Sequence, residues 1–301
     1  MIFSTTGRVS PVLHVLGSAH VPTYLIEAPR PVIVDAGFSC LGPGYVKAIR
    51  EVLGSRPPEI LFLTHSHFDH CGAAAFLKKA FPGLKVAASR RAAEILARPR
   101  ALELIRDLNR ESLAEARTRG LTPLDQDDFQ PFEVELTLDN GQELDLGEGM
   151  SLRALATPGH TRDFLSYHLP GPGILIASEA VGCAAANGYV IPECLSDYEA
   201  YLSSLRFLAG LPVQILAQGH LFVYTAEAVP DHFRRSIAAA EGFKAMVEEL
   251  WAEEGGRLEA VMGRVKAVEY DPQTPPRQIE KAYLINLEAR VRQAAKSLLE
   301  A

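Results

Sequence analysis

The stretch Ile60-Leu61-Phe62-Leu63-Thr64-His65-Ser66-His67-Phe68-Asp69-His70 decides how the rest of the chain is read. Its first four residues are a short apolar run, which predicts a buried strand ending at Thr64. In the loop that follows, His65 and His67 stand two apart in extended chain and project to the same side. Asp69 and His70 come after the turn and can face a second ion. Imidazole nitrogens bind borderline metals such as zinc or ferrous iron, and a carboxylate beside them can orient or deprotonate a bound water. Four candidate ligands within six residues point to a metal site.

Two more histidines extend the cluster, His160 in Thr157-Pro158-Gly159-His160-Thr161 and His220 in Gln218-Gly219-His220, each after a predicted strand. Five of the nine histidines fall in these three loops. The remainder, His14, His20, His168 and His232, are read as surface or satisfied core residues.

The strand ending at Thr64 is one of ten expected: Val12-Leu16, Thr23-Glu27, Pro31-Val34, Ile60-Leu63, Lys85-Ala88, Glu133-Leu138, Ser151-Ala156, Phe164-His168, Ile174-Ala177 and Val213-Ala217. They alternate with helical stretches, an order that suits two mixed sheets with helices outside. A helical insertion is expected over about 89–120, broken at Pro99, where a second helix can begin. Residues 1–225 form the expected body. The tail, 226–301, is almost wholly helix-patterned, with long helices over Ala226-Glu253 and Gln278-Leu299 separated at Gly255-Gly256.

With 301 residues, 48% of them hydrophobic and 22% charged, the composition is that of a globular enzyme and excludes a disordered or fibrous chain. The net charge of -7 supplies no basic footprint, so neither nucleic acid nor a membrane surface is expected as a partner. No apolar run approaches the roughly 20 residues that span a bilayer, and Met1 to Pro11 lacks a signal-peptide pattern. The expected location is cytoplasmic. Cys40, Cys71, Cys183 and Cys194 lie far apart and are expected as thiols, with Cys71 a buried residue at a helix start.

With these ligands quoted, the sequence resembles the metallo-β-lactamase superfamily. The likeness runs from about Val12 to Tyr224 and includes Val32-Ile33-Val34-Asp35-Ala36-Gly37, similar to the family's early strand ending in Asp-x-Gly. It implies an α/β fold, an αββα sandwich of two mixed sheets with outer helices, here carrying a C-terminal helical extension. It also implies two divalent ions, zinc or iron with manganese admitted. His65, His67 and His160 would hold one ion, Asp69, His70 and His220 the other, and Asp35 would support the metal loop. A hydroxide shared by the ions would attack the substrate carbonyl, with Asp69 as the catalytic residue that orients it.

The chain departs from that pattern at Ala177-Ser178-Glu179-Ala180. Family members usually have Gly-Asp there, and the Asp bridges both ions. Glu179 keeps the charge but adds one methylene, so it can bridge, bind one ion only, or miss the site; it is taken as the seventh ligand.

A closer likeness, to the quinolone-signal response thioesterase and its relatives, rests on Thr64 to Gly72, on Asp197-Tyr198-Glu199-Ala200-Tyr201-Leu202-Ser203-Ser204-Leu205, on Leu108-Asn109-Arg110 and on the helical tail. It implies a small-molecule ester or thioester substrate, acyl-CoA-like, cleaved beneath a cap of C-terminal helices. The alternative role for the tail is a packing or homodimer surface. Phosphodiesterase or lactonase chemistry on the same site, a regulatory partner-binding protein with a structural metal, and an iron redox protein are the rival functions. No Gly-x-Ser-x-Gly elbow offers a competing nucleophile.

Overall fold

The computed structural model describes residues 1–118, 128–273 and 278–299. The first half runs β1 (Ile2–Phe3), β2 (Gly7–Arg8), β3 (Leu13–Ser18), β4 (Val21–Ile26), β5 (Val32–Val34), α1 (Gly42–Leu53), β6 (Ile60–Phe62), α2 (Phe68–Cys71), α3 (Ala74–Ala80), β7 (Lys85–Ser89), α4 (Arg90–Leu96), α5 (Pro99–Thr118) and β8 (Leu136–Leu138). The second half runs β9 (Glu143–Gly147), β10 (Met150–Ala156), β11 (Leu165–Leu169), β12 (Ile174–Ser178), β13 (Cys183–Ala184), β14 (Val190–Ile191), α6 (Tyr198–Ala209), β15 (Ile215–Gln218) and β16 (Val223–Thr225). Helices α7 (Ala228–Glu253), α8 (Leu258–Glu269), α9 (Glu280–Ala294) and α10 (Lys296–Leu299) complete it.

Among the described residues the strands form two seven-stranded mixed sheets and a small hairpin of β13 and β14. The first sheet has the order β2-β3-β4-β5-β6-β7-β8, antiparallel as far as β5 and parallel from there to β8. The second has the order β1-β16-β15-β12-β11-β10-β9, with β12 and β15 as its parallel pair. Tyr24, Phe62, Val34, Tyr167, Leu169 and Ile176 belong to one buried cluster fed by both sheets, so the sheets face each other across a shared core. On the far side of the first sheet, Leu61 and Val86 pack with Tyr45 and Ile49 of α1 and Leu77 of α3. Helices outside, sheets inside: the α/β sandwich expected from the element order is the architecture observed.

Each of the ten expected strands is present, with ends shifted by a few residues. Pro99 opens α5, as its fixed φ and missing N–H favour at a helix start. Residues 119–120 of the expected insertion lie outside the described residues. The tail holds an unexpected helix, α8, after the Gly255-Gly256 break. Helices α7, α8 and α9 contribute Phe243, Val247, Val261, Val265, Leu287 and Val291 to the same cluster as Leu175 and Leu216 of the second sheet. The tail is therefore built into the outer core. Lys281 of α9 also forms an ion pair with Glu111 of α5, which bridges tail and insertion.

All four cysteines are buried, and Cys71, Cys183 and Cys194 are free thiols. Cys71 closes the one-turn α2 instead of opening a helix, because Phe68 takes the first position there. Among the described residues no helix is long and apolar enough to cross a membrane.

Candidate metal centre

The parallel registers decide where the loops meet. Val34 of β5 pairs with Phe62 of β6, so Asp35 and Thr64 leave the first sheet side by side. Ser178 of β12 pairs with Gln218 of β15, so Glu179 and Gly219-His220 leave the second sheet together. The loop between the antiparallel β10 and β11 carries His160. The Leu165 N–H donates to Thr64 O at 2.8 Å and the Tyr24 hydroxyl to Gln218 O at 2.6 Å, so the two sheets are tied together at this end. A cleft outside the carboxyl ends of parallel strands is a common place for a site in open α/β sheets.

All seven residues proposed from sequence come together there. Three groups, His65-His67-His160, His65-His70-Glu179 and Asp69-His70-His220, each offer ligand atoms within 4.8 Å of one another. His65, His70, His160 and Glu179 are buried, whereas His67, Asp69 and His220 are partly exposed and mark the open side.

The rings are aimed by their second nitrogens. His70 Nδ1 lies 2.9 Å from Asp35 Oδ2, His160 Nδ1 2.8 Å from Glu193 O, and His220 Nδ1 2.6 Å from His20 O. A carbonyl or carboxylate at Nδ1 holds a proton on that nitrogen and turns Nε2 inward, the orientation that metal-binding histidines adopt. His160 Nε2 then faces His67 Nδ1 at 3.2 Å. Among the described residues, His65 Nε2 is buried without any hydrogen-bond partner.

Glu179 reaches the cluster, so of its three expected outcomes a miss is ruled out. Its Oε1 lies 3.0 Å from His70 Nε2 and 3.1 Å from His220 Nε2, yet without the alignment of a hydrogen bond. Its Oε2 accepts the Ser178 hydroxyl at 2.7 Å and lies 3.8 Å from His65 Nδ1. Two features make room for the longer side chain. Ser178 adopts φ 48°, a strained backbone for a non-glycine residue, which aims the next residue inward. Gly219 leaves open the space where a Cβ would stand only 2.0 Å from Glu179 Oε1.

Charge divides the site. Loss of solvent pushes His65 and His67 down, and His160 to about 3, so these rings are neutral with lone pairs available. Loss of solvent also opposes protonation of His70 and His220, but Glu179 and Asp69 outweigh it; His70 is held well above the usual imidazole range and His220 is raised to about 9. Against the cost of its own burial, Glu179 is held well below the carboxylate range by His70, His220 and His65. Buried carboxylates that call for positive charge, beside neutral inward-facing imidazoles and an orphaned ring nitrogen, are a donor set that fits divalent metal.

Several contributors carried no sequence signal. Thr64 anchors the loop through its N–H and hydroxyl, both bonded to Asp35. Glu193 and His20 act through main-chain carbonyls, which residue type does not report. Asp163 accepts the Ser66 N–H at 2.9 Å; only its place three residues after His160 could have drawn attention to it. The four histidines set aside lie outside the metal groups: His14 pairs with Glu27 at 2.9 Å, and His232 approaches Val181 O at 3.0 Å.

A two-sheet α/β sandwich with a His, Asp and Glu cluster beyond the carboxyl ends of its central strands defines a metal-binding fold of wide occurrence. The chain belongs to the metallo-β-lactamase superfamily, whose family model matches residues 19–220. It is similar to the uncharacterized protein YobT of Bacillus subtilis (strain 168), 28% identical over 216 residues, 66% of this chain and 82% of that protein. A shorter segment is 36% identical over 81 residues to the thioesterase pkgB of Emericella nidulans, covering 27% of this chain and only 22% of that protein. Among solved structures, the metallo-β-lactamase family protein TTHA1429 of Thermus thermophilus superposes with a TM-score of 0.64 at 20% identity, covering 99% of this chain and 93% of that one. Membership implies divalent metal binding, and most of the superfamily are metal-dependent hydrolases.

Proposed function

We propose that the chain is a dinuclear hydrolase of esters or thioesters, in which His65, His67 and His160 hold one ion and Asp69, His70 and His220 the other, with Glu179 between them. The observation that carries this reading is the convergence of all seven side chains at one end of the sandwich, with three rings fixed through Nδ1. Bound there, two zinc or iron ions would acidify water toward neutral pH and polarise a carbonyl oxygen.

The chain's own residues supply the rest. Asp69 stands on the open side, its Oδ2 3.6 Å from His220 Nε2 and 3.8 Å from His70 Nε2. From there its carboxylate orients the attacking water and accepts its proton. His65, His70 and Glu179 form the buried floor and exclude solvent from behind. Substrate approaches past His67, Asp69 and His220.

The ester and thioester class is supported by the segment similar to a thioesterase and by the sequence resemblance of the motif, insertion and tail. A capping role for the tail is supported by the Lys281 to Glu111 ion pair and by Asn109 of α5, whose amide donates to Phe68 O at 3.3 Å beside the metal motif. Buried free thiols agree with a reducing cytoplasm.

The test is metal analysis of protein purified without added metal, followed by assay against acyl-CoA thioesters, simple esters, lactones and phosphodiesters. Two ions per chain and preferred thioester or ester turnover are expected. Turnover confined to phosphodiesters or lactones would replace the substrate class. Full metal loading with no turnover of any of the four would favour the regulatory, partner-binding reading.

A further inference from the structure

The metal motif is held by two buried carboxylates that act at different points. Asp35 binds its two ends, Thr64 and His70. Asp163, 3% exposed, binds its middle: Oδ2 accepts the N–H of Ser66, the residue between His65 and His67. That bond spans the two sheets, because Asp163 belongs to the loop after β10 and stands three residues beyond His160. The hydrogen bond thus links the loop that carries His160 directly to the backbone between His65 and His67.

The surroundings of Asp163 keep it from drifting. Its main-chain oxygen accepts the Ser89 hydroxyl at 2.7 Å, and the same hydroxyl caps α4 by accepting the Ala92 N–H at 3.0 Å. The next residue, Phe164, stacks on the His65 ring at 4.7 Å and 21° and meets the His160 ring edge-on at 5.7 Å. The following N–H, from Leu165, binds Thr64 O. None of these contacts touches Asp69, His70 or His220.

We infer that Asp163 is a positioning residue for the His65-His67-His160 ion alone, and that the two ions can be uncoupled by changing it. The inference rests on the ligand assignment proposed above. Groups that orient metal ligands commonly alter affinity by about 10- to 100-fold when removed. The shape of the effect is specific: Asp163→Ala lacks the acceptor, whereas Asp163→Asn keeps an oxygen that the Ser66 N–H can use.

The experiment titrates zinc, and cobalt for its visible spectrum, into the metal-stripped full chain against a competing chelator. Wild type is expected to take up two ions. D163A should bind one as wild type does and the other about 10- to 100-fold more weakly, with loss of one set of cobalt bands, and D163N should restore both. A D163A protein that keeps both affinities and loses only thermal stability would overturn the inference. So would equal weakening of both ions, or a D163N protein as weak as D163A. Should D163A fail to fold, Asp163→Ser, with a side chain too short to reach Ser66, replaces it in the same comparison. Wild type that binds no metal would instead overturn the ligand assignment itself, and the inference with it.

Discussion

Asp35 Oδ2 lies 2.9 Å from His70 Nδ1 while Asp35 Oδ1 accepts the Thr64 N–H at 2.8 Å, so one buried carboxylate grips a candidate metal ligand and the end of the strand that leads to it. Asparagine at 35 tolerates the left-handed backbone there, where φ is 60°. Its single oxygen can serve one of those N–H groups only, and its NH2 must then face the other. The Asp35→Asn protein is expected to bind the ion at Asp69, His70 and His220 about 10- to 100-fold more weakly. Equilibrium dialysis with zinc measures this, and undiminished uptake of both ions would contradict the role given to Asp35.

Glu179 and Gly219 are expected to act as a pair. A methyl at Gly219 would stand 2.0 Å from Glu179 Oε1, so Gly219→Ala must displace the carboxylate. An aspartate at 179 is one methylene shorter and leaves that space free. Gly219→Ala should therefore weaken metal binding by about tenfold or more in the parent chain, and by clearly less in an E179D background. The double-mutant cycle reads the coupling directly; penalties that simply add would show that the two residues do not share the space.

His232 makes stability depend on pH. It is 0% exposed, its ring stacks on Tyr224 at 4.1 Å, and burial pushes it down to about 4. The folded chain keeps this ring neutral, whereas the unfolded chain protonates it below its ordinary value of 6.5. Its contribution is whole above pH 6.5 and is lost as pH falls toward 4, up to about 3 kcal/mol. Since the metal-site rings add acid sensitivity of their own, the measurement is the difference between wild type and His232→Gln. The stability gap between them should change across that window, and parallel pH profiles would refute the assignment.

Arg290 and Glu269 are an ion pair with side chains 1% and 0% exposed, joining α9 to α8. The guanidinium also lies 5.1 Å from the centre of the Phe243 ring on α7. Removing one partner leaves a buried charge uncompensated, so Arg290→Met should cost about 3–5 kcal/mol. The double variant R290M/E269Q should cost less than the two singles together. Chemical denaturation at neutral pH checks this, and additive losses would mean that the charges do not compensate each other.

The core strands could be read from sequence because they are buried on both faces or at their ends by punctuating residues, as with Ile60, Leu61 and Phe62. The missed elements are of another kind. Strands β1, β2, β13 and β14 are two residues long and leave no periodicity to detect. Strand β9 is an edge whose Glu143 and Asp145 face solvent, and charge there suits an edge while hiding the strand. Helix α8 follows a double glycine that read only as a break.

For the candidate site, His65, His67, Asp69 and His70 stood out by their spacing along one loop, and His160 and His220 by their places after predicted strands; the structure brings all six together. What the sequence determined by itself was a metal-binding motif and the superfamily it belongs to. Whether Glu179 could reach that motif was decided by tertiary structure, through the parallel register of Ser178 with Gln218 and the room left by Gly219. Asp163, and the carbonyls of Glu193 and His20, likewise acquire their roles only when strands distant in the chain are brought together. A hydrogen bond depends on positions in space, which no local pattern along the chain records.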